Sequence, residues 1–273
     1  MGECRFGNYL RHTVLFYAKG SYMKFARLLS YALTIGEKML CSGAEVSRVE
    51  DSIVRICSAY GSSCVNVFTI TSSIVVSADF EGKTYTQTRR ITSYRTDFDM
   101  LDRLNNLSRY ICRNVPSEDI VEKELQMITD KKDYPTAVRL LFWFLTAGAF
   151  TVFFGGGLSD GIVSAFIGAL LMLCVEGVDK TGINKVFSNL FSSFFVTVLA
   201  YIAVFCNLGV SCDKIIIGNI MLLIPGLSLT NSFRDLIGGD IMSGVLRFLE
   251  ACLVAAGIAA GFYAAILLVG GLV

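Results

Sequence analysis

The chain has 273 residues, of which 53% are hydrophobic and 17% charged, and its mean hydropathy is +0.59. This composition is more apolar than that of ordinary soluble domains, which argues against a typical cytosolic enzyme. Lys and Arg number 24 against 23 Asp and Glu. The net charge therefore gives no attraction to nucleic acid, and a DNA- or RNA-binding protein is not expected.

The charged residues are unevenly distributed along the chain. Residues 1–137 carry 34 of them and residues 138–273 carry 13. This difference predicts a soluble domain at 1–137 followed by a membrane domain at 138–273. The first 20 residues contain four charged side chains without a long apolar run between them, which is not typical of a signal peptide. The soluble domain is therefore expected to lie in the cytoplasm.

The sequence predicts neither a metal site nor a cofactor site. Its nine cysteines are scattered without a C-x-x-C pair, and His12 is the only histidine. Zinc and iron centres need clustered ligands, so reduced cysteines packed as small apolar side chains are the better interpretation. The chain also has no P-loop and no dinucleotide-binding glycine motif, so nucleotide-driven transport by this chain is not expected.

The first element predicted in detail is an amphipathic helix. Ser42 stands three residues before Glu45, the spacing of a capping box, and apolar residues then recur at every third or fourth position from Val46 to Tyr60. The other face is charged and carries Glu45, Arg48, Glu50, Asp51 and Arg55. It is either a salt-bridged face in solvent or a polar site or docking surface.

A small sheet and two more helices are predicted to follow. Beyond Gly61 the residues are β-branched with a short period, and Glu81-Gly82 suits a tight hairpin turn. Strands are expected at 64–70, 73–80 and 83–92, and helices around 101–111 and over 117–130, after Pro116. The first domain is thus predicted to be a small α+β domain.

Five apolar stretches predict an all-α membrane domain of about five transmembrane helices. They are Leu140–Leu158, Gly161–Val175, Val186–Val210, Ile215–Leu229 and Ala251–Val273. The second and fourth have only about 15 residues, whereas a perpendicular helix needs roughly 20 to cross a bilayer. These two are expected either to use flanking residues or to be broken.

Basic residues predict the orientation of these stretches. They lie before the first stretch, after the second, and between the fourth and fifth, whereas only Lys214 falls on the opposite side. The positive-inside rule then places the first domain in the cytoplasm and the C-terminus outside.

Polar residues near Pro225-Gly226 form the candidate site of the membrane half. A helix break there would expose backbone groups and a half-helix end, beside which Arg234 could hold a carboxylate. A plain loop between two spans explains the same residues equally well. Arg247 and Glu250, three residues apart, could pair with each other because unpaired charges are costly in a bilayer.

Two segments together resemble the threonine/serine exporter (ThrE) family of secondary transporters. The first is Ser42-Gly-Ala-Glu-Val-Ser-Arg-Val-Glu-Asp51, and the second is Pro225-Gly-Leu-Ser-Leu-Thr-Asn-Ser-Phe-Arg-Asp-Leu-Ile-Gly-Gly-Asp240. The matching positions are Gly43, Ala44, Glu45, Arg48, Glu50 and Asp51 in the first, and Pro225, Gly226, Thr230, Asn231, Arg234, Asp235, Gly239 and Asp240 in the second. One departure is Thr69-Ile70-Thr71, where family members tend to have T-P-T.

The resemblance implies an exporter in the bacterial inner membrane, driven by an ion gradient. Its substrates would be small carboxylate-bearing metabolites, either threonine/serine-type amino acids or dicarboxylates such as succinate. Family members have about twice as many spans, so this chain resembles the larger subunit of a split form that works with a short membrane subunit. Arg234 and the helix end would then bind the carboxylate, and Asp235 or Asp240 would be coupled to the ion.

Two other interpretations concern the soluble domain. It could be a membrane-anchored hydrolase in which Glu45, Glu50 or Asp51 supplies acid/base groups, but the chain lacks a recognisable nucleophile–base pair. It could instead be a regulatory or docking module for the partner subunit, which is compatible with transport. The expectation is a transporter rather than an enzyme.

Overall fold

The computed structural model describes residues 25–131 and 134–269. These residues are mostly helical, with one three-stranded sheet. They divide into two compact units, of which the first contains 25–131 and 227–247 and the second contains 134–226 and 248–269. His12 lies outside the described residues.

Four helices and the sheet build most of the first unit. The helices are α1 (Phe25–Cys41), α2 (Val46–Ala59), α3 (Phe98–Asn114) and α4 (Glu118–Thr129). Their apolar faces meet in a core that includes Leu29, Met39, Ile53, Leu104 and Ile111. The periodic apolar pattern predicted α2, α3 and α4 to within a few residues, and the structure adds α1.

The sheet has the strands β1 (Cys64–Ile70), β2 (Ser73–Phe80) and β3 (Lys83–Arg90), in the order β1-β2-β3. Both pairs are antiparallel, and Phe80 pairs with Lys83 across the second turn. Glu81 and Gly82 there have φ of 50° and 74°, as the predicted tight hairpin turn requires. Alternate residues of β2, among them Ile74 and Val76, are buried in the core.

Residues 227–247, which we call the 227–247 segment, belong to the first unit although they follow three apolar helices in the chain. The segment contains most of α9 (Gly226–Gly238) and the first residues of α10 (Ile241–Val269). Gly239, with φ of 95°, joins the two helices. The division into 1–137 and 138–273, based on charge alone, gave no reason to place this segment with the first domain.

The second unit contains α5 (Thr136–Phe153), α6 (Leu158–Asp179), α7 (Lys185–Phe205), α8 (Cys212–Ile220) and the rest of α10. In the described part of the chain, α5, α6, α7 and α10 are the four helices long and apolar enough to cross a membrane. The expected count of five is therefore not confirmed. The second predicted span uses flanking residues to reach 22 residues.

The fourth predicted span is broken. Helix α8 has nine residues and ends at Ile220, and α9 begins only at Gly226. Pro225 lacks a backbone N–H and disfavours helical backbone at the residue before it, which explains why α8 does not continue into α9. Helix α8 packs against α5, α6 and α7 within the second unit.

Two glycines allow close packing of α10 against α7. A Cβ at Gly257 would stand 2.8 Å from the Val186 carbonyl oxygen, and one at Gly261 would overlap the Leu190 carbonyl oxygen. Ser193 of α7 also donates a hydrogen bond to the Ile258 carbonyl, at 2.8 Å. The G-x-x-x-G spacing of Gly257 and Gly261 thus marks a close helix contact.

Candidate functional site

The two signature segments of the sequence meet inside the first unit. Asp235, in α9, accepts a hydrogen bond from the backbone N–H of Val46, the first residue of α2, at 3.2 Å. Glu45 is the N-cap residue, and its side chain does not cap the helix. The predicted capping box of Ser42 and Glu45 is therefore wrong. Asp235, 189 positions later in the chain, caps α2 instead. Its negative charge interacts favourably with the positive N-terminal end of the α2 dipole.

A buried ion pair holds Asp235 in place. Its Oδ2 lies 3.4 Å from Arg247 Nε, and the two side chains are only 1% and 8% exposed. Arg247 Nη2 also donates to the Ala44 carbonyl at 3.2 Å. Burial raises the pKa of Asp235, and the charge of Arg247 opposes that rise. Arg247 thus pairs with Asp235 instead of Glu250, the partner expected from the sequence.

Two further contacts connect the segments. Asn231 Nδ2 donates to the Gly43 carbonyl at 3.0 Å. Gly43 has a φ of 103°, which an L side chain rarely adopts. Arg234 Nη1 lies 2.5 Å from Glu45 Oε1, but this pair is largely exposed. A solvent-exposed ion pair contributes about 1 kcal/mol or less to stability. Arg234 can therefore exchange Glu45 for another negatively charged group at little cost in stability.

Glu50 joins α2 to the end of β1. Its Oε1 accepts a hydrogen bond from the backbone N–H of Thr69 at 2.7 Å, and the Thr69 carbonyl accepts one from Ser243 Oγ at 3.2 Å. Partial burial raises the pKa of Glu50, the Thr69 bond lowers it, and the charge of Asp240 raises it further. Two carboxylates, one from each signature segment, therefore influence each other here.

Substitution of Glu50 with glutamine is expected to raise the melting temperature at pH 7. The amide oxygen still accepts the Thr69 bond, and the partly buried charge is removed. Because the folded pKa of Glu50 is raised, its stabilising contribution is present below its unfolded pKa of about 4.3 and is lost as the pH rises. The gain should therefore disappear below about pH 4. Thermal unfolding across this pH range checks it.

Exposed Glu122 of α4 provides the control. Glu122→Gln should leave the melting temperature nearly unchanged at both pH values. A Glu50→Gln protein less stable than the wild type at pH 7 would contradict this account of the site.

An open cleft lies at the first turn of α2, lined by Glu45, Ser47, Arg48, Asp51 and Arg234, with a volume of about 570 Å³. Asp51 pairs with Arg55 at 2.8 Å, as its i,i+4 spacing predicted. Arg48 forms no ion pair with any residue that the structure describes. The cleft thus offers groups of both charges to a small ionised solute.

Three of the remaining predicted residues lie in the first unit. Ala44 supplies the carbonyl that Arg247 binds, Asp240 precedes α10, and Thr230 is exposed on α9. Pro225 directly precedes α9, Gly226 is its first residue, and both belong to the second unit. Sequence reasoning missed the parts that Ser243, Thr69 and Arg247 play here. For Arg247 the sequence did offer a signal, because a charged residue in an apolar helix needs a partner.

Within residues 25–131 and 134–269, no group of three or more His, Cys, Asp or Glu is placed to hold a metal ion. The polar groups of the site are connected by hydrogen bonds and ion pairs. They hold the 227–247 segment against the start of α2 and leave an exposed charged cleft beside it.

Comparison with protein families gives a match over most of the chain. The sequence profile of the family described as "Putative threonine/serine exporter" (ThrE) covers residues 30–269. Both signature segments lie within these residues. No solved structure matches the chain.

Three curated proteins are similar to it. The "Threonine/serine exporter" of Corynebacterium glutamicum is 28% identical over 88% of this chain and 51% of its own length. The "Probable threonine/serine exporter" of Mycobacterium tuberculosis is 24% identical over 86% and 45%. The "Probable succinate transporter subunit YjjP" of Klebsiella aerogenes is 21% identical over 79% and 83%. The chain thus spans about half the length of the two exporters.

Proposed function

Because the chain belongs to the threonine/serine exporter (ThrE) family, a family of transporters, we propose that it exports small carboxylate-bearing metabolites of the threonine/serine type. The observation that carries this proposal is the family match over residues 30–269, combined with four helices long and apolar enough to make a multi-pass membrane protein. Export would be secondary, driven by an ion gradient.

The proposed orientation follows from the basic residues. Lys131 and Arg139 flank the start of α5, Lys180 follows α6, and Lys185 is the first residue of α7, whereas Lys214 follows α7 and would lie on the other side. An excess of Lys and Arg marks the cytoplasmic side of bacterial membrane proteins. We place the N-terminal domain in the cytoplasm and the helices in the inner membrane.

A second membrane subunit is proposed to complete the transporter. The chain spans about half the length of two relatives, and the third relative, of which it covers 83%, is named as a subunit. A short all-membrane protein would supply the remaining spans. That relative's name also supports succinate, or another dicarboxylate, as the alternative substrate.

The contact between the signature segments suggests roles for its residues. Arg234 and Arg48, both exposed at the cleft, would receive the carboxylate of the solute. Glu50 and Asp240 are better candidates for an ion-coupled pair than Asp235, because Asp235 is already held by Arg247 and by the Val46 N–H. In this proposal the N-terminal domain controls access to the pathway rather than performing hydrolysis.

Efflux of labelled solutes tests the proposal. Cells preloaded separately with threonine, serine and succinate would express this chain with or without the short membrane subunit. We expect efflux of threonine or serine only when the cells express this chain together with the short membrane subunit. Succinate efflux alone would favour the dicarboxylate alternative. Efflux by the chain alone in proteoliposomes would contradict the second subunit, and no efflux in any arm would contradict the exporter.

Variants of the cleft separate binding from folding. Arg234→Ala removes an exposed ion pair, so it should change the melting temperature little and raise the substrate concentration for half-maximal efflux. Asp213→Ala, which removes an exposed partner of Lys214 in the second unit, is the matched control. Unchanged half-saturation in Arg234→Ala would remove Arg234 from substrate binding.

A further inference from the structure

Three uncharged polar side chains are buried together in the second unit, away from the signature segments. Thr151 of α5, Ser164 of α6 and Asn219 of α8 are each 0% exposed. Thr151 Oγ1 lies 2.6 Å and Asn219 Nδ2 lies 2.7 Å from Ser164 Oγ. Nothing in the sequence distinguishes these three residues, because single polar residues in apolar stretches have no characteristic spacing.

All hydrogen-bond donors of this cluster have acceptors, whereas one of its acceptors has no donor that the structure describes. The Asn219 amide donates to Ser164 Oγ and to the Ile215 carbonyl, at 2.7 and 3.0 Å. Ser164 can donate to the Ala147 carbonyl at 3.2 Å, and Thr151 donates either to that carbonyl or to Ser164. All four polar protons are thereby used. Asn219 Oδ1 has no hydrogen-bond partner among the described residues, so the unused capacity is for accepting.

The surroundings of Asn219 Oδ1 favour a positively charged donor. Asn219 lies in the last turn of α8, and the C-terminal end of a helix carries a partial negative charge. The oxygen faces Gly168, where a Cβ would stand only 3.3 Å from it. The oxygen is buried there, and no described group donates a hydrogen bond to it. A buried acceptor without a donor destabilises the structure, so a hydrogen-bond donor that reaches this oxygen is favoured.

We propose that Asn219 is a substrate-binding residue whose amide oxygen accepts a hydrogen bond from the ammonium group of the exported amino acid. This inference rests on the proposed exporter function and assigns its substrate class. An ionised dicarboxylate offers only acceptors, so it gains nothing from Asn219. The broken helix beside the cluster is the kind of element that lines solute pathways in transporters. Because the oxygen is buried against Gly168, binding of the ammonium requires α8 and α6 to separate there during transport.

The test measures half-saturation for threonine efflux from proteoliposomes that contain the transporter, with the short membrane subunit where wild-type export needs it. Asn219→Ala should raise this concentration about tenfold or more, the expected loss for a hydrogen bond to a charged group. Succinate efflux, where it occurs, should be unaffected. Asn189→Ala is the matched control. Asn189 of α7 is also buried, but its amide donates a hydrogen bond to the Lys185 carbonyl within its own helix.

Asn219→Asp separates substrate binding from helix packing. This variant keeps the accepting oxygen and adds a negative charge, so threonine half-saturation should stay within a few fold of the wild type. If Asn219 serves only helix packing, Asn219→Asp should be more harmful than Asn219→Ala, because a buried carboxylate destabilises the helix bundle more than alanine does.

Several outcomes would overturn the inference. These are unchanged threonine half-saturation in Asn219→Ala, an equal loss for threonine and succinate, or an Asn219→Asp protein worse than Asn219→Ala. Threonine efflux that requires sodium, with only the sodium half-saturation altered in Asn219→Ala, would assign the oxygen to a metal cation instead. If the wild type exports no amino acid, the proposed function fails too, whereas normal wild-type export with an unaltered Asn219→Ala overturns this inference alone.

Discussion

Replacement of Asp235 with alanine is expected to lower the free energy of unfolding by about 3–5 kcal/mol, the usual cost of removing one partner from a buried ion pair. Arg247 would keep its charge with 8% of its side chain exposed, and the Val46 N–H would lose its acceptor. Thermal unfolding of the full chain in detergent, followed with efflux, measures the effect.

A double-mutant cycle identifies the cause of this loss. Arg247→Ala should also destabilise the protein, and the double variant should be less harmful than the sum of the two single variants, because no unpaired charge remains. Asp51→Ala, which removes an exposed pair with Arg55, should cost about 0.5 kcal/mol or less. Additive effects of Asp235 and Arg247 would show that their pairing contributes nothing.

Substitution of Gly261 with alanine is expected to destabilise the protein by about 1–3 kcal/mol, the usual cost of overpacking. The new Cβ would overlap the Leu190 carbonyl oxygen and lie 3.1 Å from the Phe194 nitrogen. Both atoms belong to the backbone of α7 and cannot rotate away, so α7 and α10 must separate. The melting temperature in detergent provides the measurement.

Gly177→Ala is the matched control for this prediction. Gly177 is also in a spanning helix, α6, but a Cβ there would meet no atom within 4 Å. Alanine favours helix by about 1 kcal/mol over glycine, so this variant should be neutral or slightly stabilising. A Gly261→Ala protein as stable as Gly177→Ala would show that the α7–α10 contact is looser than described.

The local elements were predictable because their causes are local. The three- and four-residue spacing from Val46 to Tyr60 reflects one buried face of α2, and Glu81-Gly82 supplies the left-handed backbone that a hairpin turn requires. The long apolar runs of α5, α7 and α10 were equally visible. These features depend on neighbours within a few positions.

The site itself was only half predictable. Both signature segments were identified, but nothing in their spacing indicated that Asp235 would reach Val46 or that Arg247 would prefer Asp235 to Glu250. The first contact depends on the path of the chain over 189 positions, and the second on the turn at Gly239 between α9 and α10. The count of spans was affected by a similar limit, because hydropathy does not distinguish a continuous helix from α8 and α9 separated by five residues.

The Asp235–Arg247 pair also has a consequence for how such sequences can diverge. A mutation that neutralises Asp235 leaves a buried cation, and one that neutralises Arg247 leaves a buried anion. Neither single step is easily tolerated, while a joint replacement by apolar residues can be. Positions 235 and 247 should therefore covary among relatives, keeping or losing their charges together.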